Sequence, residues 1–119
     1  MTPIEISFHG VQHSEAVEAR IREKGEWLHR FFDRMTHLRV VVEHPHKHHN
    51  KGSEFAIKID VGIPGKPSLI ITREANNGNN QQAVMVAVNE AFDAARRQLL
   101  DITDKMSGNV KTLRGGKSP

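Results

Sequence analysis

The hydrophobic pattern at the start of the chain predicts a β-strand followed by a helix. Ile4, Ile6 and Phe8 alternate with polar residues, which is the two-residue period of a strand buried on one face. The period then becomes helical, with an apolar stripe made of Val17, Ile21, Leu28 and Phe32, flanked by Trp27 and Phe31. We expect Ser14 to cap this helix at its start. The helix should end between residues 33 and 35.

Three further strands and a second helix follow. Leu38, Val40 and Val42 alternate, and the longest alternation runs from Phe55 to Ile63. A turn at Pro64 and Gly65 leads into a fourth strand, expected to reach Arg73. The polar stretch 74–82 should be an exposed loop. The second helical stripe consists of Val84, Val88, Ala91, Ala95, Leu99, Ile102 and Met106, with Phe92 at its edge.

These elements predict one α+β domain over residues 1–106. Their order is β-α-β-β-β-α. Two amphipathic helices and a sheet with one apolar face can bury their hydrophobic surfaces together in a two-layer sandwich. We therefore expect a four-stranded sheet with two helices packed on one face. Residues 107–119 are rich in glycine and basic residues, and we expect them to form a disordered tail.

Composition narrows the class of protein. The chain carries 17 Lys and Arg against 14 Asp and Glu, a net charge of +3, with a pI near 9.5. A basic balance favours a polyanionic partner. Cysteine is absent, no apolar run is long enough to span a membrane, and the N-terminus lacks the pattern of a secretory signal. We expect a cytoplasmic protein that does not contact a membrane.

The stretch EHPHKHHNKG, residues 43–52, permits two interpretations. In an extended conformation, His44, His46 and His48 would project from one face and could chelate zinc. However, the stretch supplies lysines rather than second-shell acceptors, so metal binding is kept as the alternative function: a histidine-rich metal-binding or metal-sensing module. The favoured interpretation is a basic, RNA-contacting hairpin tip made of His46, Lys47, His48, His49 and Lys51.

No catalytic motif is present. The chain has no Gly-x-Ser-x-Gly, phosphate-loop or His-Glu-x-x-His pattern and no thiol, so we expect neither an enzyme, a cofactor nor a small-molecule substrate. Phe8 and Phe55 belong to the apolar strand positions, which disfavours base stacking on the sheet. Binding to the phosphate backbone remains as the favoured chemistry.

Four cations outside the histidine-rich stretch are further candidates for that binding. Lys24 lies within the first helical stripe and is either a lysine that reaches solvent at the margin or a binding contact, and we favour the contact. Arg96 has no acidic residue four positions away, whereas Arg97 could pair with Asp93 and Asp101. Arg73 at the end of the fourth strand completes this set. Arg20 is assigned to an ordinary mixed, solvated helix face.

The ordered combination of HSEAVEARIREK, FFDRM, VVVEHPHKHHNKG, IDVGIPG and VAVNEAFDAARRQL resembles the ribosome hibernation promoting factor family. This family is also called ribosome-associated inhibitor A or the sigma-54 modulation proteins. The similarity spans roughly residues 4–106. The resemblance implies the β-α-β-β-β-α fold and a short, single-domain member.

It also implies a partner: the small ribosomal subunit and its 16S rRNA, bound in the channel of messenger and transfer RNA. Under stress or in stationary phase, members silence idle ribosomes there. Matching RNA contacts include Lys24, Arg97 and Lys105. The sequence departs from many members at Asp101 and Thr103, because those members often carry basic residues at the matching positions. The chain has no long C-terminal dimerisation domain, so a monomer is favoured.

Overall fold

The computed structural model describes residues 3–44, 53–76 and 81–113. It confirms the predicted order of elements, which are β1 (Ile4–His9), α1 (Glu15–Phe31), β2 (Leu38–Glu43), β3 (Ser53–Val61), β4 (Leu69–Asn76) and α2 (Gln81–Leu113). Within these ranges, no helix is both long and apolar enough to cross a membrane.

The sheet has the strand order β1-β2-β3-β4. β1 lies parallel to β2, because α1 crosses over between them, and the later pairs are antiparallel hairpins. Val40 faces Ile6 on one side and Ile59 on the other, and Ile59 faces Ile71. This register places the alternating apolar residues of all four strands on the same face, as the alternation predicted.

Both helices cover that apolar face. α1 contacts β1, α2 contacts β3 and β4, and the two helices contact each other. The largest fully buried side chains are Phe92, Ile21, Leu28, Leu38, Ile57, Ile59, Leu99, Val40, Val42, Val61 and Val88. The two-layer sandwich is therefore confirmed. Phe92 lies at its centre, with no exposed surface, rather than at the edge of the helical stripe.

The start of α1 forms as predicted, and its core stripe needs one correction. Ser14 caps the helix, with its Oγ accepting a hydrogen bond from the Val17 backbone N–H at 3.2 Å. Between Ile21 and Leu28 the core position belongs to Gly25, which is buried against β1 and β2. Lys24 therefore does not interrupt the buried stripe but lies on its flank, half-buried.

Three predicted boundaries are wrong. α1 ends at Phe31, before the expected range of residues 33–35. Glu74 and the two residues after it continue β4 instead of forming a loop, because their backbones pair with β3 up to Ser53. The hydrophobic pattern does not reveal this backbone pairing, because the stretch is mostly polar. α2 begins at Gln81 and runs on to Leu113, so residues 107–113, expected in a disordered tail, are helical. Extending a formed helix costs far less than starting one. Residues 114–119 lie outside the described ranges.

Candidate nucleic-acid interface

The two helices meet along a polar and aromatic strip that we call the interhelical seam. It consists of Arg20, Lys24, Trp27 and Phe31 from α1, and Asn89 and Arg96 from α2, all half-buried. The α1 members are spaced by four, three and four residues, which places them on one flank of a helix. Arg20 contacts Asn89 near the start of both helices, and Trp27 contacts Arg96 further along. The two helices therefore run in the same direction.

Trp27 lies between two cations in the middle of the seam. The Lys24 Nζ is 5.0 Å from the centre of the indole ring, and the Arg96 Cζ is 5.9 Å from it. Arg96 also lies 4.9 Å from the centre of the Phe31 ring. These distances are those of cation–π contacts, which orient a charged group without neutralising it. Among the described residues, no carboxylate forms an ion pair with Lys24 or Arg96, so both keep their charge available for an anion.

Arg20 extends the positive charge of the seam, and sequence reasoning missed it. Its Nη1 donates a hydrogen bond to the Asn89 Oδ1 at 3.2 Å, across the helix interface, and its Nε lies 3.5 Å from the Glu23 Oε1. The mixed charges around it suggested a solvated face. The usable signal was the spacing that Arg20 shares with Lys24, Trp27 and Phe31.

The ion pairs further along α2 differ from the prediction that Arg97 could pair with Asp93 and Asp101. No ion pair joins Arg97 to Asp93 or Asp101 in the described part of the chain. Asp101 pairs instead with Lys105, with 3.7 Å between Oδ2 and Nζ. Both partners are highly exposed, at 78% for Lys105 and 71% for Asp101, so this pair contributes at most about 1 kcal/mol. Arg97 is thus free to contact an anion, and Lys105 can be released at little cost.

Arg73 does not join the seam. Its backbone pairs with Ile57, so it projects from the helix-covered side of β4, the edge strand beneath α2. Its Nη1 donates to the neighbouring Thr72 carbonyl oxygen at 2.8 Å. It therefore remains a separate candidate on the α2 side of the molecule.

The histidine-rich stretch lies largely outside the described residues. His46, Lys47, His48, His49 and Lys51 belong to the part that is not described, and the RNA-contacting interpretation of them stays a prediction. Of the three alternative metal ligands, only His44 is described, and it is exposed. Within the described ranges, no three His, Cys, Asp or Glu residues are grouped so that they could hold a metal ion.

The uncovered side of the sheet, which we call the open face, has the opposite charge. By register it carries Glu5, Ser7, His9, Arg39, Val41, Glu43, Ala56, Lys58, Asp60, Ile70, Thr72 and Glu74. Four carboxylates against two cations give −2, with histidine neutral, while the whole chain is at +3. The open face offers no phenylalanine or tryptophan for a base, since Phe8 and Phe55 lie on the helix side. Its charge and composition disfavour RNA.

Ion pairs also occupy much of the charge on the open face. The Arg39 Nε lies 3.2 Å from the Glu5 Oε1, and its Nη1 lies 3.8 Å from the Asp60 Oδ2. The His37 Nε2 lies 2.9 Å from the Asp60 Oδ1. Asp60 contacts both His37 and Arg39 and is therefore the centre of a small structural network. These groups already have partners of opposite charge, unlike Lys24 and Arg96.

An apolar cavity of about 310 Å³ lies at the end of the sandwich where both helices begin. Its walls include Phe8, Val42 and Phe55, and His13 lies at its rim. The His13 ring contacts Phe8 edge-on, at 4.8 Å between centres, and its Nε2 lies 2.6 Å from the Glu18 Oε1. Hydrogen bonds from His13 and Arg22 hold the pKa of Glu18 below its ordinary value. The cavity has none of the clustered cations of the seam.

Comparisons with known proteins agree with this fold. A ribosomal subunit interface protein from Coxiella burnetii superposes with a TM-score of 0.64 at 18% identity, covering 84% of this chain and 96% of that one. The N-terminal domain of Protein Y from Thermus thermophilus gives a TM-score of 0.58 at 19% identity, covering 82% and 94%. A comparison with curated proteins finds no significant match.

The family comparison covers nearly the whole domain. The model of the family described as "Sigma 54 modulation protein / S30EA ribosomal protein" matches residues 4–107, which include every strand, α1 and most of α2. This range contains the interhelical seam and the open face. The chain therefore belongs to the Sigma 54 modulation protein / S30EA ribosomal protein family.

Proposed function

We propose that this protein binds 16S rRNA in the mRNA–tRNA channel of the small ribosomal subunit and inhibits translation during stress or stationary phase. The observation that carries the proposal is the interhelical seam, where Lys24 and Arg96 contact one indole ring and pair with no carboxylate of residues 3–44, 53–76 and 81–113. The chain belongs to a family whose description names a ribosomal protein, and this supports a ribosomal partner. The solved structure of a ribosomal subunit interface protein with the same fold supports it further.

The physical basis of the affinity is the release of counterions from RNA phosphates. Each cation that neutralises a phosphate makes the affinity more dependent on salt. Half-buried side chains that are already oriented lose less conformational entropy on binding than free ones do. Lys24 and Arg96 meet this condition because both side chains are half-buried along the seam. We assign the primary phosphate contacts to these two residues and to Arg20.

Further contacts flank the seam in this proposal. Arg97 and Lys105 extend the basic surface along α2, and Arg73 adds a cation at the sheet edge. The lysines of the histidine-rich stretch, Lys47 and Lys51, are proposed as an additional phosphate-binding segment. The open face, at −2, points away from the RNA in this arrangement.

Cosedimentation with purified small ribosomal subunits tests the function. At low salt, the protein should travel with the subunits through a sucrose gradient, and it should be released as salt rises. Addition of the protein to a translation reaction should lower initiation in proportion to the bound fraction. Protein that stays at the top of the gradient at low salt would refute the proposed function.

A further inference from the structure

We infer that the interhelical seam binds an unpaired stretch of RNA by stacking a base on Trp27, while Lys24 and Arg96 transfer to the flanking phosphates. This inference rests on the proposed function, since both require RNA at the seam, and it specifies the kind of RNA. The feature that prompts it is an aromatic ring in contact with two cations that have no carboxylate partner in the part of the chain that the structure describes.

The arrangement matches the general chemistry of single-strand binding. Such sites combine cations that follow the phosphate backbone with aromatic side chains on which bases stack. A purely duplex-binding surface needs the cations alone, because bases inside a helix are not accessible to a side chain. Trp27 is half-buried, so its ring is anchored in the protein while part of its surface meets solvent. Phe31 is likewise half-buried and continues the aromatic surface along the seam.

In the free protein, the cations occupy the ring. A phosphate offers Lys24 and Arg96 a charge-assisted hydrogen bond, which is stronger than a cation–π contact at an exposed site. When the cations turn towards phosphates, the vacated ring surface becomes available to a base. Base–aromatic stacking is in turn the stronger use of that surface. Both exchanges favour the bound state.

The open face is a poorer site for a base, because the one aromatic ring among its residues is the imidazole of His9, which lies opposite Glu43. Its residues include neither tryptophan nor phenylalanine, and its net charge is negative. Stacking in the described part of the chain is therefore assigned to α1 rather than to the sheet. This differs from sheet-based recognition of RNA, in which strand aromatics carry the bases.

The chain supplies its own reporter. It contains one tryptophan and no tyrosine, so fluorescence excited in the indole band comes from Trp27 alone. Three probes separate the possible modes: an unstructured oligoribonucleotide, the same sequence annealed into a duplex, and inorganic polyphosphate. We expect saturable quenching by the oligoribonucleotide and much weaker quenching by the other two. Equal quenching by polyphosphate would show that phosphate contact alone changes the emission, and it would overturn the inference.

Variants provide the second measurement, by anisotropy of a labelled oligoribonucleotide. Trp27→Leu should weaken binding about tenfold, the lower to middle range for one stacked base, and Trp27→Phe should retain part of the affinity. Polyphosphate affinity should change little in both. If Trp27→Leu weakens polyphosphate and oligoribonucleotide equally, Trp27 only positions the cations and stacks nothing. Lys58→Ala on the open face is the control and should bind both probes like the wild type.

The two proposals fail separately. Wild-type protein that shows the quenching but does not cosediment with small subunits would refute the ribosomal function and keep the stacking. Wild-type protein that cosediments without any change in Trp27 emission would refute the stacking and keep the ribosomal function. The wild-type fluorescence needs no variant, so a Trp27→Leu protein that fails to fold does not prevent a decision.

Discussion

At the residue scale, Gly62 occupies a position that has no room for a side chain. It exchanges backbone hydrogen bonds with the segment before β2, from Thr36 N–H to the Gly62 carbonyl and from Gly62 N–H to the His37 carbonyl, both at 2.9 Å. A Cβ there would overlap the Thr36 hydroxyl and the His37 ring. Gly62→Ala must displace His37 from Asp60, so we expect a loss of about 2–3 kcal/mol in the free energy of unfolding, measured in urea.

Gly25→Ala is the matched comparison. An added Cβ would lie 2.7 Å from the Ile4 Cδ1, the mobile end of a side chain that is only half-buried, and 3.2 Å from the Leu38 Cδ2. Alanine also gains about 1 kcal/mol of helix propensity over glycine. The two effects oppose each other, so the net change should stay within about 1 kcal/mol. Equal destabilisation by the two substitutions would contradict this account.

Glu18 makes the stability depend on pH. The hydrogen bond from His13, followed by that from Arg22, lowers the pKa of Glu18 below its ordinary value of 4.5. A lowered folded-state pKa means that the ionised carboxylate stabilises the native state above pH 4.5, and that this contribution is lost as the pH falls through the folded-state pKa. Glu18→Gln should therefore lower the melting temperature slightly at pH 7 and leave it unchanged well below pH 4.5. Glu15→Gln, in the same helical turn without these contacts, should show a smaller difference between the two conditions.

At the element scale, an ion pair neutralises part of the positive charge on the second half of α2. Asp101 pairs with Lys105 in an exposed contact, whereas Arg97 has no such partner in the described structure. Asp101→Asn releases Lys105 and raises the charge of the helix by one unit, at a cost in stability below about 1 kcal/mol. The affinity for small subunits should rise by a few-fold, because one more cation reaches a phosphate.

The control for that prediction makes the same charge change on the opposite side. Glu5→Gln removes one of the two carboxylates that pair with Arg39 on the open face. Gradient titrations of the two variants should show a larger gain for Asp101→Asn. An equal gain for both would mean that only net charge matters and that α2 does not face the RNA.

At the scale of the whole molecule, the interhelical seam and the open face differ in charge. The seam carries three cations, Arg20, Lys24 and Arg96, and no acidic residue of its own, while the open face carries −2. Lys24→Ala and Arg96→Ala should each reduce the slope of log affinity against log salt by roughly 0.7–0.9, the value for one phosphate contact. Lys58→Ala removes the same charge from the open face and should leave the slope unchanged.

Stability serves as the second readout for these variants. A cation–π contact at a partly exposed site contributes about 0.5–1 kcal/mol, so Lys24→Ala should keep nearly the wild-type melting temperature. A large loss of stability with an unchanged salt slope would instead make Lys24 a structural residue that covers Trp27.

The order of elements and the composition of the core could be predicted from the sequence because both are local properties. A period of two or of 3.6 residues states which side of an element is apolar, and burial of Val40, Ile59 and Val88 follows from it. The end of β4 could not be predicted in this way, because residues 74–76 are held by backbone pairing that leaves no mark in the hydrophobic pattern. The end of α2 was missed for another reason: Val110 and Leu113 keep the helical spacing of Met106, but the glycine and basic residues of the tail outweighed them.

The candidate site shows the same division. Single cations such as Lys24 and Arg96 stand out in the sequence, but nothing in it indicates that both would contact the same indole. That contact joins residues far apart in the chain, and it depends on which flank of α1 meets α2. The hydrophobic period shows which side of a helix is apolar. It does not show which flank of that helix contacts another helix. The sequence by itself determined the fold and the set of candidate cations, and packing of the two helices on one sheet decided which of those cations lie together.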